Sequence, residues 1–149
     1  MRVLIDGDGC PVVDLTVRIA GEYGVACLIL CDTAHEIWRP GAETMVVSKG
    51  ADSVDFVLVN LLKPGDVVIT QDYGLAALCL ARGARVLRQD GMAYTDENIG
   101  GLLLARCTAG KIRRSGGRLK GPKKRTRDQD AAFASALRCI FAEQKTGRE

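Results

Sequence analysis

At 149 residues, with 47% hydrophobic and 26% charged content, the chain suits one domain with a substantial core, ordinary for a soluble globular protein. No apolar stretch approaches the ~20 residues a bilayer needs, and no basic segment followed by an apolar one opens the chain, so a cytoplasmic protein without a membrane partner is expected. The net charge of +3 conceals an asymmetry: 8 Lys/Arg stand against 14 Asp/Glu in residues 1–105, and 13 against 4 in residues 106–149.

In chain order, "RVLID" (2–6) reads as a strand, and "PVVDLTVRIAGEYG" (11–24) as a helix with Pro11 in its first turn and Gly24 past its end. "VACLIL" (25–30) is a strand, then a loop carries His35 and Trp38, and "TMVVS" (44–48) is a strand again. "ADSVDFVLVNLL" (51–62) is apolar nearly all round; its length and the preceding Gly50 favour a buried helix, with Asp52 as its N-cap. "DVVITQD" (66–72) is a strand, "YGLAALCLARG" (73–83) a helix stopped by Gly83, "ARVLR" (84–88) a strand and "QDG" a turn. "TDENIGGLLLARC" (95–107) is a helix with Thr95 as N-cap. The segment at about 108–127, with Gly110, Gly116, Gly117 and Gly121, lacks apolar periodicity and reads as a basic loop or arm. A last helix at about 128–144 lines up Phe133, Leu137, Ile140 and Phe141 on one face.

Strand–helix alternation with short connections predicts a single α/β domain over 1–149, a mainly parallel sheet covered by helices on both faces. Ligands of such sheets lie outside the carboxyl ends of the strands. Asp6 and Asp8 follow the first strand, Asp72 follows the fourth, and Asp55 lies in the first turns of a helix that begins at the same edge. Acids gathered there repel one another unless a cation neutralises them. Asp6 and Asp8, spaced i and i+2, point to one side of an extended chain and can share a hard ion, Mg²⁺ or Mn²⁺. Asp55 and Asp72 complete the candidate ligand set, although Asp72 serves equally well as the N-cap of the helix at Tyr73. Asp14 reads as a solvated helix charge.

Other chemistry finds little support. "DGDGCP" lacks the third glycine of a dinucleotide fingerprint, and no GxxxxGK[ST] phosphate loop occurs. Six cysteines without a CxxC pair, beside a single histidine, argue against structural zinc and for reduced packing thiols. Cys10, ahead of a helix, is read as packing, and Trp38 as a loop aromatic covering the core. From Arg106 to Arg127 there are ten basic residues and no acidic ones, a pattern suited to tracking phosphates. Lys111, Arg113, Arg114, Arg118 and Lys120 are the candidate nucleic-acid contacts.

"DGDGCPV", "GADSVDF", "TQDYGLA", "YTDENI" and "RRSGGRLKGP" together resemble the blocks of the bacterial YaiI/YqxD family, which is grouped with PIN-like nucleases. The resemblance spans roughly residues 2–141. It implies a three-layer α/β/α fold, with acids around Mg²⁺ or Mn²⁺. Matched by position, the catalytic set is Asp6, Asp55, Asp72 and the hydroxyl of Thr70, with Asp8 an extra metal ligand. Tyr73 and Gly74 stand where PIN-like nucleases place a fourth acid. The expected function is a divalent-metal-dependent nuclease, a hydrolase acting on RNA ahead of DNA. The alternatives are a non-catalytic nucleic-acid-binding or regulatory module with a relic acidic pocket, and a haloacid-dehalogenase-like phosphatase with Asp6 as nucleophile. A homo-oligomer is left open.

Overall fold

The computed structural model describes residues 1–48, 53–114 and 124–146. Six strands form one sheet in the order β3-β2-β1-β4-β5-β6, built from β1 (Arg2–Asp6), β2 (Ala26–Asp32), β3 (Glu43–Val47), β4 (Val67–Ile69), β5 (Arg85–Leu87) and β6 (Ala93–Tyr94). All neighbours pair in parallel except β5 and β6. The helices among the described residues are α1 (Val13–Tyr23), α2 (Ser53–Leu61), α3 (Tyr73–Ala81), α4 (Asp96–Arg114) and α5 (Arg127–Thr146).

Period-two alternation along the strands sorts the core into two layers. Val3, Ile5, Ile29, Val67 and Ile69 face α1 and α5, where they meet Ile19, Phe133, Leu137 and Phe141. Leu4, Leu30, Val68 and Val86 face the other way, onto Leu58 of α2 and Leu75, Ala76 and Cys79 of α3. The expected apolar face of α5 is therefore real, and each of its four large side chains, buried at 5% exposure or less, contributes about 1.5–3 kcal/mol. The result is the anticipated α/β/α sandwich with a mainly parallel sheet.

β2 and β3 lie on one side of β1, and β4 and β5 on the other, so the winding reverses between β1 and β4. In open α/β sheets ligands gather at the carboxyl ends of the strands on either side of such a reversal. Asp6 ends β1, and residues 70–72 follow β4. At the opposite, amino edge, the buried Asp66 accepts from the Arg2 backbone N–H and guanidinium and from the Lys63 N–H, each at 3.0 Å. A buried carboxylate is thereby fully paired before β4 begins.

Two elements differ from the sequence expectation. α4 continues through Arg114, so residues 108–114, expected in a basic loop or arm, are helical. Lys and Arg are good helix formers, and basic residues near a helix C-terminus complement its dipole, so the helix needs no apolar stripe to persist there. The hairpin strand β6, two residues long, was too short to carry a periodic signal; it follows a turn closed by Arg88 N–H donating to the Met92 carbonyl at 2.8 Å. No helix of the described residues is long and apolar enough to cross a membrane.

The turn at Gly91 carries a sharp steric demand. Its φ is +91°, and a Cβ there would lie 2.7 Å from the Ala132 carbonyl oxygen of α5. Gly24, which caps α1 at φ +66° with its N–H reaching the Ala20 and Gly21 carbonyls, has open space instead. Gly24→Ala is expected to destabilise by about 1 kcal/mol, from left-handed strain alone. Gly91→Ala is expected to lose roughly 2–4 kcal/mol, because α5 must also shift. Urea denaturation of the two variants checks this, and equal losses would contradict the docking of α5 against the hairpin.

Candidate functional site

The site begins with the way β1 ends. Gly7 continues the pairing with β2, its N–H donating to the Leu30 carbonyl at 2.9 Å, and a Cβ at Gly7 would sit 2.8 Å from that oxygen. Glycine is therefore required immediately after Asp6, and the chain turns through Asp8 and Gly9 before Cys10 N–H closes onto the Gly7 carbonyl at 3.2 Å. This places Asp6 partly buried at the strand end and Asp8 on the exposed turn.

Thr70 ties the two central strands together through its side chain. Its hydroxyl donates to Asp6 Oδ2 at 2.8 Å and accepts the Asp72 backbone N–H at 3.0 Å. With Asp6 ionised, the single hydroxyl proton goes to its carboxylate while a lone pair of the same oxygen receives the Asp72 N–H. Thr70 is 3% exposed, and the i to i+2 spacing of the T-x-D motif is what lets its oxygen receive the Asp72 N–H. Asp72 Oδ1 in turn accepts the Leu75 N–H at 3.1 Å, so Asp72 is the N-cap of α3. The capping role and a place beside Asp6 are both realised in one residue.

Burial is the main force on Asp6, pushing its carboxyl from 3.8 up to about 6. The Thr70 hydrogen bond opposes that rise, and the charges of Asp55, Asp72 and Asp8 add to it. The other three predicted carboxylates therefore all act on Asp6, and among the described residues the charges that shift it are of like sign. Sequence reasoning placed Asp55 in this group through its position in the first turn of α2, and the structure keeps it there. Lys111, Arg113 and Arg114 fall where only the backbone is described. Arg118 and Lys120, like the Asp52 cap, lie outside the described residues.

The donors are carboxylate and hydroxyl oxygens, which suit a hard cation. Among the described residues no group of three or more His, Cys, Asp or Glu side chains is close enough to hold an ion as it stands. Such a sparse set fits Mg²⁺ or Mn²⁺, held through one or two carboxylates with water completing the shell, and does not fit a closed zinc site. Asp6, whose carboxyl feels the charges of the other three acids, is the side chain through which these residues would hold the ion, with Asp8, Asp55 or Asp72 supplementing it.

The neighbouring thiols serve packing. Burial pushes Cys10 up to about 11 and Cys79 up to about 12, so neither is a thiolate nucleophile near neutral pH. Cys10, Cys27, Cys31, Cys79 and Cys139 are all free. Trp38, expected to cover the core, is instead 61% exposed, its indole N–H donating to Glu36 at 3.2 Å. Asp14 is the solvated charge expected, paired with Arg39 at 2.6 Å.

The raised Asp6 has a stability consequence. The folded carboxyl binds its proton more tightly than the unfolded one, so this contribution is fully present below about pH 4 and is lost as pH rises through about 6. In metal-free buffer at pH 7.5, Asp6→Asn is expected to be more stable than the wild type by roughly 2–3 kcal/mol, the gap closing below pH 4. Urea titrations at the two pH values read this directly. A variant less stable than the wild type at pH 7.5 would mean that Asp6 is not held against its own charge.

The profile described as "Uncharacterized BCR, YaiI/YqxD family" matches residues 4–143. A UPF0178 protein of Exiguobacterium sibiricum is 51% identical, covering 97% of this chain and 99% of the relative. Another, from Ruminiclostridium cellulolyticum, is 42% identical over 99% and 96%. The crystal structure of Rae1 (YacP) from Bacillus subtilis aligns at 14% identity with a TM-score of 0.43, over 97% of this chain and 99% of that one, a likeness too weak to transfer any chemistry. The family profile spans nearly all of the domain, from β1 to α5, and on that match the chain belongs to the YaiI/YqxD family.

Proposed function

We propose that the chain is a divalent-metal-dependent phosphodiesterase that hydrolyses a nucleic-acid strand, with RNA ahead of DNA. The observation that carries this reading is Asp6, a partly buried carboxylate at the switch point of the sheet whose proton affinity is raised by burial and by three further acids. A bound Mg²⁺ or Mn²⁺ would supply Lewis acidity at a phosphoryl oxygen and a water of lowered pKa. The ion's Lewis acidity and its bound water have no substitute among these side chains, so cleavage is strictly metal-dependent. Thr70 fixes the orientation of Asp6 through its donated hydrogen bond, and the buried position of that hydroxyl keeps water from competing for it. The Asp72 cap holds its carboxylate at the start of α3, from where its charge acts on Asp6. On sequence grounds, Lys111, Arg113, Arg114, Arg118 and Lys120 contact the backbone phosphates.

One observation favours a second reading, a nucleic-acid-binding or regulatory module without turnover: no ready-made group of three metal-ligating side chains exists among the described residues. The two readings part on a single assay. Mn²⁺-dependent cleavage of a single-stranded oligoribonucleotide, abolished by EDTA, is expected for the enzyme. Asp6→Asn and Asp72→Asn should each lower it by about 100-fold or more, and Asp14→Asn should leave it within about twofold. Asparagine caps a helix as well as aspartate does, so the loss at position 72 reports charge rather than unfolding. Salt-sensitive binding with no cleavage at any Mn²⁺ concentration would support the module instead.

A further inference from the structure

Beside the carboxylates, a cavity of about 280 Å³ opens between the segment after β4, the turn after β5 and the start of α5. Gln71 and Tyr73 line it from the first, Arg88 and Asp90 from the second, and Arg125 and Gln129 from the third. Gln71 connects it to the acidic turn, since its Nε2 would lie 3.3 Å from a Cβ at Gly9. The Tyr73 ring stands edge-on to Tyr94, with centroids 5.9 Å apart at 64°, which fixes its orientation.

The cavity's charges are already compensated. Arg88 donates to both Asp90 oxygens, at 2.8 and 2.6 Å, and Arg125 donates to Asp130 at 2.8 Å and to the Gln89 carbonyl at 2.7 Å. A site for a bare phosphate would keep its guanidiniums free for the anion. What remains on offer is neutral: carboxamides that both donate and accept, beside an aromatic face. Mixed donors and acceptors around a ring match the edge and face of a nucleobase. The volume falls just under the range of about 300–1,000 Å³ typical of pockets for larger ligands, as a single base requires.

We infer that this cavity is a nucleobase subsite, taking one unpaired base of the strand whose phosphodiester reaches Asp6; the inference rests on the reading of the chain as a nucleic-acid enzyme. Full-length protein in EDTA at low salt is titrated with labelled single-stranded oligoribonucleotides and with an abasic strand of equal length, read by fluorescence anisotropy. The base-bearing strands should bind at least about fivefold more tightly than the abasic one. Gln71→Ala and Tyr73→Ala should remove that preference, and Tyr73→Phe, which keeps the ring, should retain it. Should Tyr73→Ala fail to fold, Gln71→Ala at its exposed position decides alone. Equal affinity for both strands, no binding of either, or a preference that survives Gln71→Ala overturns the subsite. Base-blind binding accompanied by Asp6-dependent cleavage overturns the subsite while leaving the enzyme standing. Base-dependent binding without Mn²⁺ cleavage does the reverse.

Discussion

The parallel pairing of β1 with β4 sets Ile5 opposite Ile69, and that register brings the next residues, Asp6 and Thr70, side by side. Their hydrogen bond at 2.8 Å joins two strands that are 64 residues apart in sequence and belong to opposite halves of the sheet. Gly7 lets β1 run flush against β2, Thr70 receives the Asp72 N–H, and Asp72 starts α3. A shift of one residue in this register would point Asp6 at the opposite face, and with it the meeting of the acids would be lost.

The two carboxylates at either end of this strand pair show what the protein tolerates and why. Asp66, at the amino edge, is buried with a guanidinium and two backbone N–H groups upon it, an arrangement that stabilises the start of β4. Asp6, at the carboxyl edge, has a single side-chain hydrogen bond among the described residues, from a neutral hydroxyl, and like charges around it. The first is a structural solution to the cost of burying charge. The second leaves that cost standing, as the proposed role of Asp6 requires.

Much of this was legible in the chain. Alternating apolar runs and helical stretches placed all but one strand, and the rule that ligands gather at strand carboxyl ends singled out Asp6, Asp8, Asp55 and Asp72. The repeat of Phe133, Leu137, Ile140 and Phe141 foretold how α5 packs. Other features carried no readable signal. Two residues of β6 are too few for a period, and the extension of α4 to Arg114 rests on helix propensity without amphipathicity. The cavity beside Asp6 draws on three separate segments, and glutamines or an Arg–x–Asp turn look like ordinary surface in sequence. Trp38 was misjudged because a loop aromatic gives no hint of which way it faces.

We propose that Asp6 and its companion acids hold a hard cation. Calorimetric titration of Mn²⁺ into the metal-free protein tests it most directly, with Asp6→Asn alongside. Saturable binding to the wild type is expected, accompanied by proton release near pH 6, with loss of both heat and proton release in the variant. Saturable binding of equal strength in the two proteins, or no binding in either, would contradict it.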